Sequence, residues 1–288
     1  MEERIMKKSL KKLTGIVMIG VLALGALTGC GSQKASAAKD ITIGVCAGPY
    51  GDMVKKAIAP SLEKKGYKVS VREFSDYVLP DQALANGEID ANLMQHTAYL
   101  EKFAADNDLN ISKVIAVPTA GAGIFSDSIK SLKELKKGDK IGIPNDPSNL
   151  ARALSILGKE KVIVLKKGID QTKATEKDIA QNPKNLKFVT LDAAQISRSL
   201  DSVAAGGVPG NYAYAAKLDF SRALAVETLA EEYKNVIAVK TDDVKGQLGK
   251  DLKEAVESED FYKAVSDKKS SFQSFQKPDW WTEKYKEK

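Results

Sequence analysis

From residue 41 onward, short apolar runs alternate with longer stretches of helical spacing. ITIGVCAG (41–48) reads as a strand, and DMVKKAIAPSLEKKG (52–66) as a helix, apolar at Met53, Val54, Ala57, Ile58 and Leu62 and stopped by Gly66. YKVSVREF (67–74) predicts a second strand, LPDQALANG (79–87) a short helix and IDANLM (89–94) a third strand. TAYLEKFAAD (97–106) predicts a helix and SKVIAVP (112–118) a fourth strand. The rhythm resumes after Pro118: SIKSLKELKKG (128–138) predicts a helix and KIGIP (140–144) a strand. DPSNLARALSILG (146–158) predicts a helix capped by Asp146, with Pro147 in its first position and Gly158 past its end. NLKFVTL (185–191), AAQISRSLDS (193–202) and YKNVIAVK (233–240) predict strand, helix and strand, and two charged amphipathic helices fill about 244–267. This rhythm implies an α/β fold with mostly parallel sheet covered by helices on both faces. Ligands of such sheets bind beyond the carboxyl ends of the strands. His96, Asn145 and the helix that starts at Asp146 therefore mark the places to look.

The N-terminus follows a different pattern. Arg4, Lys7, Lys8, Lys11 and Lys12 precede an uncharged stretch from Leu13 to Leu27. A positive region followed by a short apolar region is a secretory signal pattern. The apolar run is shorter than the roughly 20 residues that span a bilayer. It ends in LTGC (27–30), which resembles a bacterial lipobox, and GSQKASAAK follows as a small, polar tether. Residues 1–29 are thus expected to be a lipoprotein signal peptide. Cys30 is the expected site of lipidation, with two or more acyl chains anchoring the chain to the membrane.

Composition changes the picture little. Removing residues 1–29 takes away five basic and two acidic residues, so the net charge falls from +6 to +3. That value, with lysines scattered beside acidic residues and no basic stripe interleaved with aromatics, does not point to nucleic acid. Cys46 has no partner once Cys30 carries lipid, and its apolar surroundings suggest a buried, inert thiol. One histidine and one unmodified cysteine make a zinc site implausible.

Two groups of residues carry candidate chemistry. In PNDPSNLAR (144–152), Asn145, Asn149 and Arg152 fall at i, i+4 and i+7, on one side of a helix start. A helix N-terminus offers partial positive charge and free N–H groups. Arg152 adds a fork suited to a carboxylate, and asparagines both donate and accept. An ordinary capped, solvated helix fits the same residues. The second group is Tyr77, Met94, His96 and Tyr99, flat or polarizable side chains near strand ends that suit an apolar or thioether group. A histidine with a purely structural role fits His96 equally well. No nucleophile motif or Gly-rich phosphate loop accompanies either group, so no enzyme is expected and no cofactor.

FSDYVLPDQALANGEIDANLMQHTAYL (74–100), IPNDPSNLARAL (143–154) and NPKNLKFVTLDAAQISRSL (182–200) resemble the methionine-binding lipoproteins of ABC importers, the NlpA/MetQ family. The resemblance runs from about Ile41 to Gln276. It implies a two-lobed, type II periplasmic-binding-protein-like fold with the ligand in the cleft between lobes joined by a hinge. It also implies delivery to an ABC permease driven by an ATPase. By the same resemblance Arg152 grips the ligand carboxylate, and Asn145 and Asn149 lie near its polar end. Tyr77, His96 and Tyr99 would surround the ligand side chain. The chain departs from the pattern at Met94 and Phe125, where the family usually has phenylalanine and tyrosine. In GGVPGNYA (206–213), Pro209 takes the place of a usual asparagine, and Asn211 stands two residues on.

The expected organisation is a signal peptide at 1–29 and a lipidated tether at 30–39. One lobe is built from 40–117 plus 235–288 and the other from 118–234. The expected protein is a monomer on the extracytoplasmic side of the membrane. Its ligand is L-methionine, with D-methionine, another amino acid or a short peptide as alternatives. A surface adhesin on the same fold is the reading from another class.

Overall fold

The computed structural model describes residues 39–286; the expected signal peptide, Cys30 and the tether up to residue 38 lie outside the described residues. The strands are β1 (Lys39–Cys46), β2 (Tyr67–Phe74), β3 (Ala91–His96), β4 (Ile111–Ala116), β5 (Gly123–Phe125), β6 (Lys140–Pro144), β7 (Val164–Leu165), β8 (Ile179–Gln181), β9 (Lys187–Leu191), β10 (Ala205–Val208), β11 (Ala225–Val226) and β12 (Asn235–Lys240). They form two five-stranded sheets, ordered β2-β1-β3-β12-β4 and β11-β5-β10-β6-β9, and a small β7-β8 ribbon.

Each sheet has a parallel part and an antiparallel part. β1 pairs parallel with β2 and β3, while β12 runs antiparallel between β3 and β4. In the second sheet β10, β6 and β9 are parallel, and β5 runs antiparallel to β10 and β11. The antiparallel pairs arise where the chain leaves one sheet and returns. It departs after β4 and comes back as β12, which enters the first sheet in the opposite direction. β12 lies inside that sheet, and NVIAV is buried throughout, as a strand covered on both faces should be.

Several local features depart from the sequence expectation for identifiable reasons. The helix expected at 52–66 begins at Tyr50 and runs through Tyr50–Met53, Val54–Ile58 and Ala59–Glu63, the middle segment being π-helical. Pro60 has no N–H to give the preceding turn, and the wider turn just before it absorbs the mismatch. The helix expected at 128–138 is reduced to one 3₁₀ turn, Leu132–Glu134. Here the Ser126 hydroxyl accepts from the N–H groups of Ser128 and Ile129, each at 3.0 Å, a local bond that competes with helix. Gly158 lies inside the helix Pro147–Lys159 rather than past its end.

The central strand of the second sheet, β10, was not among the expected strands. Its sequence, AGGV, is too glycine-rich to read as a strand. The glycine is required by packing: a Cβ on Gly206 would come within 2.8 Å of both Ile196 and Leu200. The apolar cores of the two sheets are separate clusters, one centred on residues such as Ile43, Leu62, Ile237 and Phe261, the other on Ile124, Ile141, Leu154 and Ala205.

Candidate functional site

β3 ends at His96, which is also the N-cap of the helix Thr97–Asn107. Its Nδ1 accepts from the Tyr99 N–H at 3.1 Å. That bond leaves the proton of the neutral ring on Nε2, which donates to Asn149 Oδ1 at 3.2 Å. Burial pushes the His96 pKa down, the nearby positive charge of Arg152 pushes it further, and the bond to Asn149 opposes both; the result is about 3. His96 is therefore a neutral donor with no proton to exchange near pH 7. An NMR titration of its ring should show one tautomer, Nε2–H, and no protonation step between pH 5 and 8.

Across from His96, the helix Pro147–Lys159 begins at its cap Asp146, whose side chain accepts from the Asn149 N–H at 2.9 Å. Asn149 Nδ2 also donates to the Asp146 carboxylate, at 3.1 and 3.2 Å. One turn on, Arg152 is buried. Its Nε donates to Glu227 Oε1 and Oε2 at 2.9 and 2.8 Å, and its Nη2 also donates to Glu227. Nη1 reaches Asn149 Oδ1 at 3.4 Å, and the guanidinium lies 5.2 Å from the Tyr233 ring centroid. Burial works against the arginine's charge, but the Glu227 carboxylate outweighs it and holds the Arg152 pKa above its ordinary value.

The third wall comes from the helix Gly210–Ala215. Asn211 Nδ2 donates to the Ala47 carbonyl at 3.1 Å, and its Oδ1 accepts from the Tyr77 hydroxyl at 2.6 Å. Gly210 has no substitute here, because a Cβ would collide with the carbonyl oxygens of Ala120 and Gly121. Tyr77 packs against Tyr99 and Tyr212, with centroids 5.5 and 5.1 Å away, and Tyr99 stacks on Phe103.

These groups enclose one cavity. Tyr77, Met94, His96 and Tyr99 reach it from segments of the first sheet, and Asn149, Arg152 and Asn211 from segments of the second. Its volume as the walls stand is about 10 Å³, room for about one water. A molecule of amino-acid size enters only if the walls part. Asn145 is not on the wall. The chain is still extended at Asp146, so Asn145 precedes the helix and falls outside its phase. It is exposed, and its N–H instead donates to the Leu191 carbonyl at 2.8 Å. Pro209 also stays off the wall, and the amide in this region comes from Asn211.

Tyr50, Gln95 and Asn235 line the cavity as well, and Glu227 backs it through Arg152. Sequence reasoning missed all four. Cys46 is buried, its thiol donates to the Asp76 carbonyl at 2.9 Å, and burial raises its pKa well above the ordinary value. Among the described residues no group of three or more His, Cys, Asp or Glu side chains is placed to hold a metal ion. None of their helices is long and apolar enough to cross a membrane.

A family model described as NlpA lipoprotein matches residues 41–280. The D-methionine-binding lipoprotein MetQ of Salmonella typhi is 37% identical over 255 residues, which cover 86% of this chain and 91% of that protein. Outer membrane lipoprotein 1 of Mannheimia haemolytica is 36% identical over 251 residues, covering 82% of this chain and 87% of the relative. Among solved structures, a nutrient binding protein from Burkholderia cenocepacia bound to methionine superposes with a TM-score of 0.74. It is 39% identical and covers 79% of this chain and 95% of its own.

Proposed function

This chain belongs to the NlpA lipoprotein family, and on that premise we propose that it is a lipid-anchored, extracytoplasmic solute-binding protein. It captures methionine or a closely related amino acid and delivers it to an ABC permease driven by an ATPase. The observation that carries this reading is the pairing of Arg152 and Asn149, at the start of a helix, with an aromatic and thioether wall of Tyr77, Met94, His96 and Tyr99. The relatives' names support the ligand, and the lipobox-like LTGC supports the anchor at Cys30.

In this reading, residues 40–117 with 235–288 act as one lobe and 118–234 as the other. Ligand contacts made to both lobes at once favour the closed arrangement. Arg152 Nη1 and Asn149 take the ligand carboxylate, and the rings with Met94 take the thioether. Asn211 and Asn235 supply further amides. His96 shapes the wall and orients Asn149, and nothing in the cleft acts on the ligand chemically. The protein works as a monomer, and release to the permease follows from opening.

Thermal unfolding of protein that has been unfolded and refolded, measured against each amino acid and several methionyl dipeptides, tests this. At 100 times its dissociation constant a ligand stabilises by about 2.7 kcal/mol, a shift of roughly 5–10 °C for a protein of this size. The expected result is a shift with methionine. No shift with any of these compounds would contradict the proposal.

A further inference from the structure

Glu227 lies between β11 and β12, in a segment with no local motif, yet its side chain is 4% exposed and that of Arg152 5%. The carboxylate accepts from Arg152 Nε and Nη2 and from the Ala122 N–H. The arginine is thus compensated before any ligand arrives, and only Nη1 stays outside the pair. Apart from Asp146, the other ionisable groups around the cavity add little charge. His96 is neutral, and Tyr50, Tyr77, Tyr99 and Tyr233 are neutral phenols. The Asp146 carboxylate is engaged by Ser148 and Asn149 at a helix start, where the partial positive charge of the helix opposes it.

We infer that Glu227 is a specificity-determining residue: by compensating Arg152, it makes the cleft select ligands that carry both an ammonium and a carboxylate over the same molecule without the ammonium. This rests on the amino-acid reading above. A lone carboxylate at Nη1 would leave two carboxylates sharing one guanidinium, with a net negative charge enclosed away from water. A zwitterion brings no net charge. The selection is a penalty against the wrong ligand as much as an attraction to the right one.

The test is calorimetric titration of the full chain with L-methionine and with 4-(methylsulfanyl)butanoate, which lacks only the amino group. Wild type, Glu227→Gln and Glu227→Asp are compared, each checked for folding by thermal unfolding. Wild type should prefer methionine by about 10- to 100-fold, the size expected from charge-assisted bonds to the ammonium. Glu227→Gln should narrow that preference about tenfold, while Glu227→Asp, which keeps the charge, should retain it even where both affinities fall. Equal loss of affinity for both ligands in Glu227→Gln would reduce Glu227 to a structural role and overturn the inference. So would wild type binding the two ligands with nearly equal affinity, whatever the variants do. Absence of methionine binding by wild type would instead remove the amino-acid reading itself, and this inference with it.

Discussion

Replacing Arg152 by alanine is expected to cost the protein its ligand and part of its stability, through two separate routes. The ligand carboxylate loses a charge-assisted partner, so methionine affinity should fall by about 100-fold or more. Among the described residues, Glu227, buried opposite Arg152, is left with only the Ala122 N–H as a donor to its carboxylate. Breaking a buried ion pair on one side typically costs about 3–5 kcal/mol. The double variant Arg152→Ala/Glu227→Gln separates the routes: it should regain much of the lost stability and none of the lost affinity. Calorimetry and thermal unfolding read the two quantities independently. Unchanged methionine affinity in Arg152→Ala would mean that the ligand does not use this arginine.

Asp81→Asn is expected to change stability in the opposite direction. Asp81 is fully buried on the helix Val78–Asn86, beneath the cleft wall. Its Oδ1 accepts from Asn92 Nδ2 at 2.8 Å and Gln95 Nε2 at 2.5 Å, while its Oδ2 and Gln95 Oε1 have no partner among the described residues. A proton on Asp81 removes the buried charge and turns one of these two bare acceptors into a hydroxyl. Burial raises the Asp81 pKa from 3.8 to about 7, against the pull of the bonds from Asn92 and Gln95. Between about pH 4 and 7 the native state therefore holds a proton that the unfolded state has released, and stability falls as pH rises through that window. Each pH unit is worth about 1.4 kcal/mol, so the ionised group costs on the order of 4 kcal/mol at pH 8.

His96 works in the opposite sense over nearly the same range. Its pKa is about 3 when folded against 6.5 ordinarily. The unfolded state takes up the proton first as pH falls below 6.5, so this contribution to stability is lost on acidification. The two slopes offset each other in the wild type. Asparagine at 81 carries a permanent donor and no charge. The stability advantage of Asp81→Asn should accordingly be small at pH 4 and grow to several kcal/mol, roughly 10 °C in melting temperature, by pH 8. Melting curves of both proteins across this range read the difference directly. A constant difference at every pH would show that Asp81 does not hold the proton.

The parts of the fold that could be read from sequence are those in which one local pattern dominates. β2, KIGIP at β6 and the apolar run of β12 follow from their own residues, and Asp146 and Pro147 mark a helix start unaided. His96, Asn149 and Arg152 were legible for the same reason, His96 at a strand end and the other two in the first two turns of a capped helix. β10 was not, because Gly206 packs against Ile196 and Leu200 and Gly207 against Ala153, contacts that no strand propensity records. Asn145 stands off the cavity wall because the chain is still extended at Asp146, so helical spacing does not carry back to it. Glu227 was invisible for a deeper reason: its partner lies 75 residues away, and no local pattern records such a pairing.

The central claim is that methionine sits between the two sheets with its thioether against the aromatic wall. Its most direct test is an NMR experiment on refolded protein with methionine labelled with ¹³C at the S-methyl group. Cross-relaxation from that methyl to the ring protons of Tyr77, His96 and Tyr99 is the predicted result. A saturating, bound methionine whose methyl shows contacts to none of these rings would contradict it.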